Sequence, residues 1–288
     1  LLTHHTLAPL QRLRAGAARI RSGHDLHQRL PLVSRPQEVA ELSETLNAML
    51  DGLQASMTSV RRFTADASHE LHTPLTNLGI DLETLSRNPN LPLKQRAVIL
   101  KAMTTAHARM VDLLEGLRDL ARGDTGTLPE RIPIDIVDLV HDAVHRAQRR
   151  HSATIYELQG TPPPFATVTG WPEGLKTAVD NLLNNAALHG QPAGLVRVTI
   201  TQPDMHTVAI TVVDDGPGIP ADLHEYMKQR FTRGVDARAS GSGLGLALVD
   251  QQMSLHNGTF RLAEAPGGGV QATLTLPLHP SDVHNGPV

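Results

Sequence analysis

The sequence predicts a multidomain protein in which helices come first and an α+β unit follows. Three observations carry this. Apolar residues recur at three-four spacing as far as Gly126, alternating strand patterns appear only after Pro133, and runs rich in Gly, Pro and Asn punctuate both regimes. The 288 residues suffice for two or three domains, at least one with a sizeable core.

Each helical element has its own signature. After Pro9, the residues Leu10, Leu13, Ala17 and Ile20 keep a helical rhythm that ends near Gly23, and His24 to Pro36 reads as a linker. Val39, Leu42, Leu46, Met49 and Leu53 then alternate spacings of three and four, the mark of a heptad seam or of an ordinary helical hairpin. Leu71, Leu75, Leu78, Leu82 and Leu85 line the next helix, which "SRNPNLP" (86–92) breaks. A second helix carries Met103, Ala106, Met110, Leu113, Leu117 and Leu120, closed by Gly123 and Gly126. Two such helices leave apolar surface uncovered, and a homodimeric four-helix bundle solves that problem.

Beyond Pro133, "VRVTIT" (196–201), "HTVAITVVDDG" (206–216) and "QATLTLPL" (271–278) alternate like strands. Helical patterns at 135–150, 172–189 and 244–256 lie between them, which predicts an α/β sandwich. The "TPPPF" run (161–165) reads as a loop and the tail after Pro280 as disordered.

Composition excludes several classes. A formal charge of −3 gives no electrostatic case for nucleic acid or an anionic membrane surface. No cysteine is present, so disulfides and thiolate metal sites are ruled out. Aromatic residues make up 2%, too few for a base-stacking platform. There is no spanning apolar run or signal peptide, and the opening "LLTHH" reads as part of a longer protein.

Four constellations could carry chemistry. In "ASHELHTPLT" (67–76), the five leucines of the helix average to one direction, and His69 and Thr73 each lie about 160° from it, on the opposite face. An exposed histidine beside Glu70 can act as a nucleophile, the carboxylate taking up the ring proton and fixing the tautomer. It can equally be one of the 16 histidines that simply face water. Pro74 removes one helical hydrogen bond and favours a bend after the site. In "DNLLNNAALHG" (180–190), Asn181 and Asn185 share a face at i, i+4, as hard-cation ligands or as a hydrogen-bonded pair or cap. "DDGPGIP" (214–220) lets backbone approach a flat ligand, with Asp214 placed to accept from an exocyclic amine. "GSGLGLALV" (241–249) runs into an apolar helix whose free N–H groups suit phosphate. Neither a Rossmann fingerprint nor a P-loop lysine is present.

Taken in order, these blocks resemble the sensor histidine kinases of bacterial two-component systems. Residues 1–54 look like a HAMP signal relay, with Pro9 at its start and Glu38 opening its second helix. Residues 55–126 look like the dimerisation and histidine phosphotransfer hairpin, with "HELHTPLT" as the H-box. Residues 130–279 look like a GHKL-type ATP-binding domain, with "NLLNNA" as the N-box, "RFTRG" as the F-box and the two glycine boxes, leaving 280–288 as tail. The resemblance implies His69 as phosphoacceptor, Glu70 as its acid/base partner, and Thr73 positioning water in dephosphorylation. It implies that Asn185 holds Mg²⁺ with Asn181 near the phosphates of ATP, while Asp214 reads the adenine amine and Gly216 and Gly218 shape its pocket. Gly241, Gly243, Leu244 and Gly245 would border the phosphates and hinge a lid of residues 220–240, which carries Arg230 and Phe231. It also implies a homodimer, a response regulator that accepts the phosphoryl group and is dephosphorylated in turn, and a cytoplasmic location beneath a membrane sensor part that this chain lacks.

The sequence departs from the family pattern at four places: His72 replaces an arginine, Leu188 a basic residue, Lys228 an aromatic and Trp171 an acidic residue. Arg230 and Arg233 could restore phosphate contact. A GHKL ATPase clamp and a catalytically weak scaffold are the competing readings.

Overall fold

The computed structural model describes residues 29–30, 37–124, 130–161, 163, 166–232 and 242–279. The expected helix around Leu10 to Ile20, most of the linker and the "TPPPF" run, Arg233, Gly241 and the tail lie outside these residues. The chain divides into two compact units, residues 1–69 and 70–288, and the division falls inside one 51-residue helix, α1 (Gln37–Arg87).

In the first unit, Leu30 and Val39 are buried and pack with Leu46 and Leu50. Asn47 clasps the preceding strap: its Oδ1 accepts from Leu30 N at 2.9 Å, and its Nδ2 donates to Leu30 O at 3.1 Å. Of the predicted seam, Val39 is buried, whereas Leu42, Met49 and Leu53 are exposed.

In the second unit, α1 continues to Arg87 and helix α2 (Leu93–Asp124) returns beside it. The helix runs through Pro74 without interruption. Then come β1 (Ile132–Asp135), α3 (Ile136–Arg150), β2 (Ile155–Gln159), β3 (Thr167–Gly170), α4 (Pro172–His189), β4 (Leu195–Asp204), β5 (Thr207–Val213), α5 (His224–Met227), α6 (Gly245–Leu255), β6 (Thr259–Glu264) and β7 (Val270–Pro277). Asp135 caps α3, accepting from Val137 N at 2.8 Å and Asp138 N at 3.2 Å.

The main sheet has the order β2-β4-β5-β7-β6, antiparallel except for β2 beside β4, and β1 pairs with β3 in a small second sheet. Burial alternates along β4, so Val196, Val198 and Ile200 join Ile210, Leu274 and Leu276 in one core with Leu175, Leu182 and Leu183 of α4 and Val249 and Met253 of α6. The three predicted strands are present. The other four, each of four to six residues, were not foreseen.

Helix α2 packs on α6. Leu113 and Leu120 are fully buried, Gln251 Nε2 donates to Leu120 O at 2.9 Å, and a methyl added at Gly116 would stand 3.1 Å from Leu244 Cδ1.

Candidate functional site

Helix α4 brings the asparagine pair to the start of α6. A β-carbon added to Gly245 would lie 3.0 Å from Asn181 Oδ1 and within 3.4 Å of both amide atoms of Asn185. Glycine is therefore what allows the N-terminus of α6 to approach these amides closely. Asn181 Nδ2 donates to Thr177 O at 2.8 Å, which fixes the amide and turns its oxygen towards Gly245. Two amide oxygens beside a helix N-terminus suit a hard cation together with phosphate: the oxygens are ligands, and the helix end favours negative charge. The residues present thus fit Mg²⁺ held jointly with a nucleotide.

The rotation of α4 is set by α3. Arg146 grips Asp180 with two bonds, Nη2 to Oδ1 at 2.9 Å and Nε to Oδ2 at 3.3 Å. His151 Nε2 lies 2.9 Å from Asn184 Oδ1. Asp180 and Asn184 are i, i+4, each one residue before an asparagine of the pair, so the two contacts aim Asn181 and Asn185 together. This second stripe is legible in "DNLLNN", but sequence analysis did not single it out.

Asp214 closes the other end of the site. It is 8% exposed, and its Oδ1 accepts from Gly216 N at 2.9 Å and Val270 N at 3.1 Å. Both bonds use Oδ1, so Oδ2 is the oxygen left to receive a ligand amine. Burial raises the Asp214 carboxyl above the ordinary carboxylate range, more than the two N–H groups lower it. The next residue, Asp215, ties down the loop after α4, accepting from Gln191 N at 3.0 Å and Leu195 N at 2.9 Å. Burial opposes its ionisation, but these backbone donors outweigh it and hold the carboxyl below the usual range. Gly218, at φ +80°, runs beside Gly269 O, and a side chain at Gly216 would collide with His189 O. Gly269 is a residue sequence analysis missed; a side chain there would strike Asp214 O.

In the second glycine box, Gly243 has φ +67°, and a β-carbon would come within 2.9 Å of the Phe231 backbone, itself at φ 61°. Arg230 and Phe231 are partly buried. Leu244 is fully buried, its side chain beside Gly116 rather than open to a ligand. One departure from the family pattern has a side-chain role: Lys228 Nζ bonds Glu225 Oε1 at 2.6 Å and Phe260 O at 3.1 Å, and stands 5.4 Å from the Phe260 ring centroid, pinning its segment to β6. Trp171, the residue before α4, is buried, and its backbone N–H donates to His256 Nε2 at 2.9 Å, a bond any residue but proline could make, while His256 Nδ1 lies 2.7 Å from Gln252 O. Those partners require a neutral ring protonated at Nδ1, and burial lowers its pKa accordingly.

On α1, His69 and Thr73 are exposed, and Glu70 is partly buried with an ion pair to Arg109. His69 belongs to the first compact unit and Glu70 and Thr73 to the second. Among the described residues, no helix is long and apolar enough to cross a membrane, and no group of three His, Asp or Glu side chains could hold a metal.

Comparison with known proteins assigns the three regions. Residues 1–55 match the HAMP domain, 59–126 the His Kinase A (phospho-acceptor) domain, and 170–280 the histidine kinase-, DNA gyrase B-, and HSP90-like ATPase family. The chain is 38% identical to the sensor-type histidine kinase PrrB of Mycobacterium tuberculosis over 83% of this chain and 54% of that protein. It is 36% identical to the signal transduction histidine-protein kinase/phosphatase MprB of the same species, over 93% of this chain and 53% of that one. It thus spans about half the length of these relatives. In fold it is similar to Acinetobacter baumannii histidine kinase AdeS, with a TM-score of 0.58 at 20% identity over 73% of this chain and 98% of that one. It is also similar to histidine kinase ThkA, solved in complex with response regulator protein TrrA, with a TM-score of 0.60 at 18% identity over 79% and 64% of the two chains. With all three domains in this order, the chain belongs to the two-component sensor histidine kinases.

Proposed function

We propose that the chain phosphorylates His69 from Mg-ATP and passes the phosphoryl group to an aspartate of a response regulator. The convergence of Asn181, Asn185 and Gly245 at the start of α6 carries this reading, since it supplies amide oxygens and a helix N-terminus at one place. Asp214 Oδ2 accepts from the adenine amine, and the glycines at 216 and 218 leave room for the ring. Mg²⁺, when bound at Asn185 with Asn181 near the phosphates, neutralises phosphate charge. Arg230 adds positive charge at the lid root. One nitrogen of the His69 imidazole attacks the γ-phosphorus, the bond to the β-phosphate oxygen breaks, and ADP leaves. The proton on the other ring nitrogen passes to Glu70. Such a transfer depends on in-line positioning and charge neutralisation.

The remaining roles follow from the same reading. The chain works as a homodimer through the apolar faces of α1 and α2, on the cytoplasmic side of a membrane-anchored receptor. Packing changes in residues 1–54 bring His69 and the nucleotide into or out of reach, as a bistable element. Likeness to a kinase/phosphatase supports the reverse activity on the regulator, with Thr73 positioning the attacking water.

Incubation with γ-labelled ATP and Mg²⁺ tests this. Acid-labile label that vanishes in His69→Gln is expected. ATP turnover without labelled protein would indicate an ATPase clamp instead, and absence of nucleotide binding a scaffold.

A further inference from the structure

One polar contact in the hairpin has no part in the mechanism above. Arg109, on α2, reaches across to α1 and places Nη2 3.2 Å from Glu70 Oε2. The pair is shielded, with side-chain exposures of 30% and 23%. Arg109 also lines a groove of about 480 Å³ between the two helices, together with Thr73, Asn77 and Lys101. Glu70 and Thr73 are one helical turn apart, so the guanidinium stands next to both residues expected to act beside His69.

The geometry is not that of a pair built for stability. A guanidinium is a rigid fork that gains most by gripping both carboxylate oxygens. Arg109 instead reaches Glu70 through Nη2 alone, and its Nε is shut off from water with no acceptor. Leaving a buried donor unmade carries a penalty, so an apolar residue at 109 would serve packing better. What the arrangement does achieve is to hold one carboxylate in one place. A glutamate side chain has several rotamers, only some of which could meet the neighbouring imidazole.

We propose that Arg109 is a positioning residue for phosphoryl transfer, fixing the Glu70 carboxylate from across the hairpin so that it can take the His69 proton. The inference rests on the proposed role of Glu70 as proton acceptor. Arg109 belongs to the hairpin and not to the Asn181, Asn185 and Asp214 site, so its effect falls on the chemical step and not on nucleotide binding.

The test is the autophosphorylation rate against ATP concentration for the full 288-residue chain and for Arg109→Gln, Arg109→Lys, Glu70→Gln and the double variant Glu70→Gln/Arg109→Gln. Arg109→Gln should lower kcat about tenfold with KM for ATP unchanged, and Arg109→Lys, which keeps a cation, should stay within about threefold of the parent. In the Glu70→Gln background, Arg109→Gln should add no further loss. A loss of equal size in both backgrounds, a lysine variant as slow as the glutamine one, or a change confined to KM would overturn the inference. If Glu70→Gln leaves kcat unchanged, the role of Glu70 itself fails; if Glu70→Gln is slow but Arg109→Gln is not, only the inference fails.

Discussion

The ATP-binding unit and the helical hairpin satisfy their hydrophobic demands in opposite ways. In the sheet, Val198, Ile210, Leu274 and Leu276 are no more than 2% exposed, and three helices of the same chain cover them. In the hairpin, Leu75 and Leu82 of α1 and Leu100 and Leu114 of α2 each keep more than half their surface in water. Leu113 and Leu120 are buried where α2 meets α6. One region is closed within a single chain, while the other presents an apolar stripe that calls for a second copy. On this contrast the proposed nucleotide site can be complete in one protomer, while the helix that carries His69 would be shaped by the proposed assembly.

The largest effect that would break this division comes from the site itself. Asn185→Ala should reduce autophosphorylation roughly 100-fold or more by removing the proposed amide ligand, with the melting transition of the sheet domain preserved. An enzyme that labels at the parental rate would remove the asparagine pair from the mechanism.

Next in size is the assembly. Leu75→Glu with Leu82→Glu puts charge on the exposed stripe and should convert the proposed dimer to monomer in sedimentation equilibrium, weakening association by about tenfold or more. Nucleotide affinity of the ATP-binding unit should be unaffected. A dimer of parental stability would place the interface elsewhere.

A core deletion in the closed region gives the counterpart. Ile210→Ala should cost about 2–5 kcal/mol in denaturant unfolding without changing the association state.

The smallest effect concerns pH. Burial lowers the His256 pKa from its ordinary 6.5, so the unfolded chain binds the proton more readily than the folded one. Stability from this group is therefore complete above about pH 6.5 and is lost as pH falls towards the folded-state pKa. The melting temperature should drop on acidification from pH 7.5 to 5.5, and His256→Gln should flatten that slope. Some slope should survive, because burial also lowers His189. A slope untouched by the substitution would remove His256 as its source.

How far the sequence revealed all this differed between the two regions. The leucine rhythm of residues 71–85 gave the helix and its exposed polar face, because helical periodicity needs no partner to be read. The long alternating strands β4, β5 and β7 were equally legible. Strands β1 and β3 were not, since "IPID" and "TVTG" are too short to show a period and are held by pairing with each other across more than 30 residues. Within the site, Asn181, Asn185, Asp214 and the glycines could be picked out by type and spacing. Arg146, His151 and Arg109 could not, because each acts through a contact between helices that no local pattern announces. Pro74, read as favouring a bend, lies inside the unbroken helix α1.

Transfer from ATP to one particular imidazole can be checked by locating the phosphoryl group. Trypsin should release residues 63–87 as one peptide holding two histidines, His69 and His72. After reaction with Mg-ATP, electron-transfer fragmentation at neutral pH should place the added mass on His69. Phosphate on His72, or on no histidine of that peptide, would contradict the account.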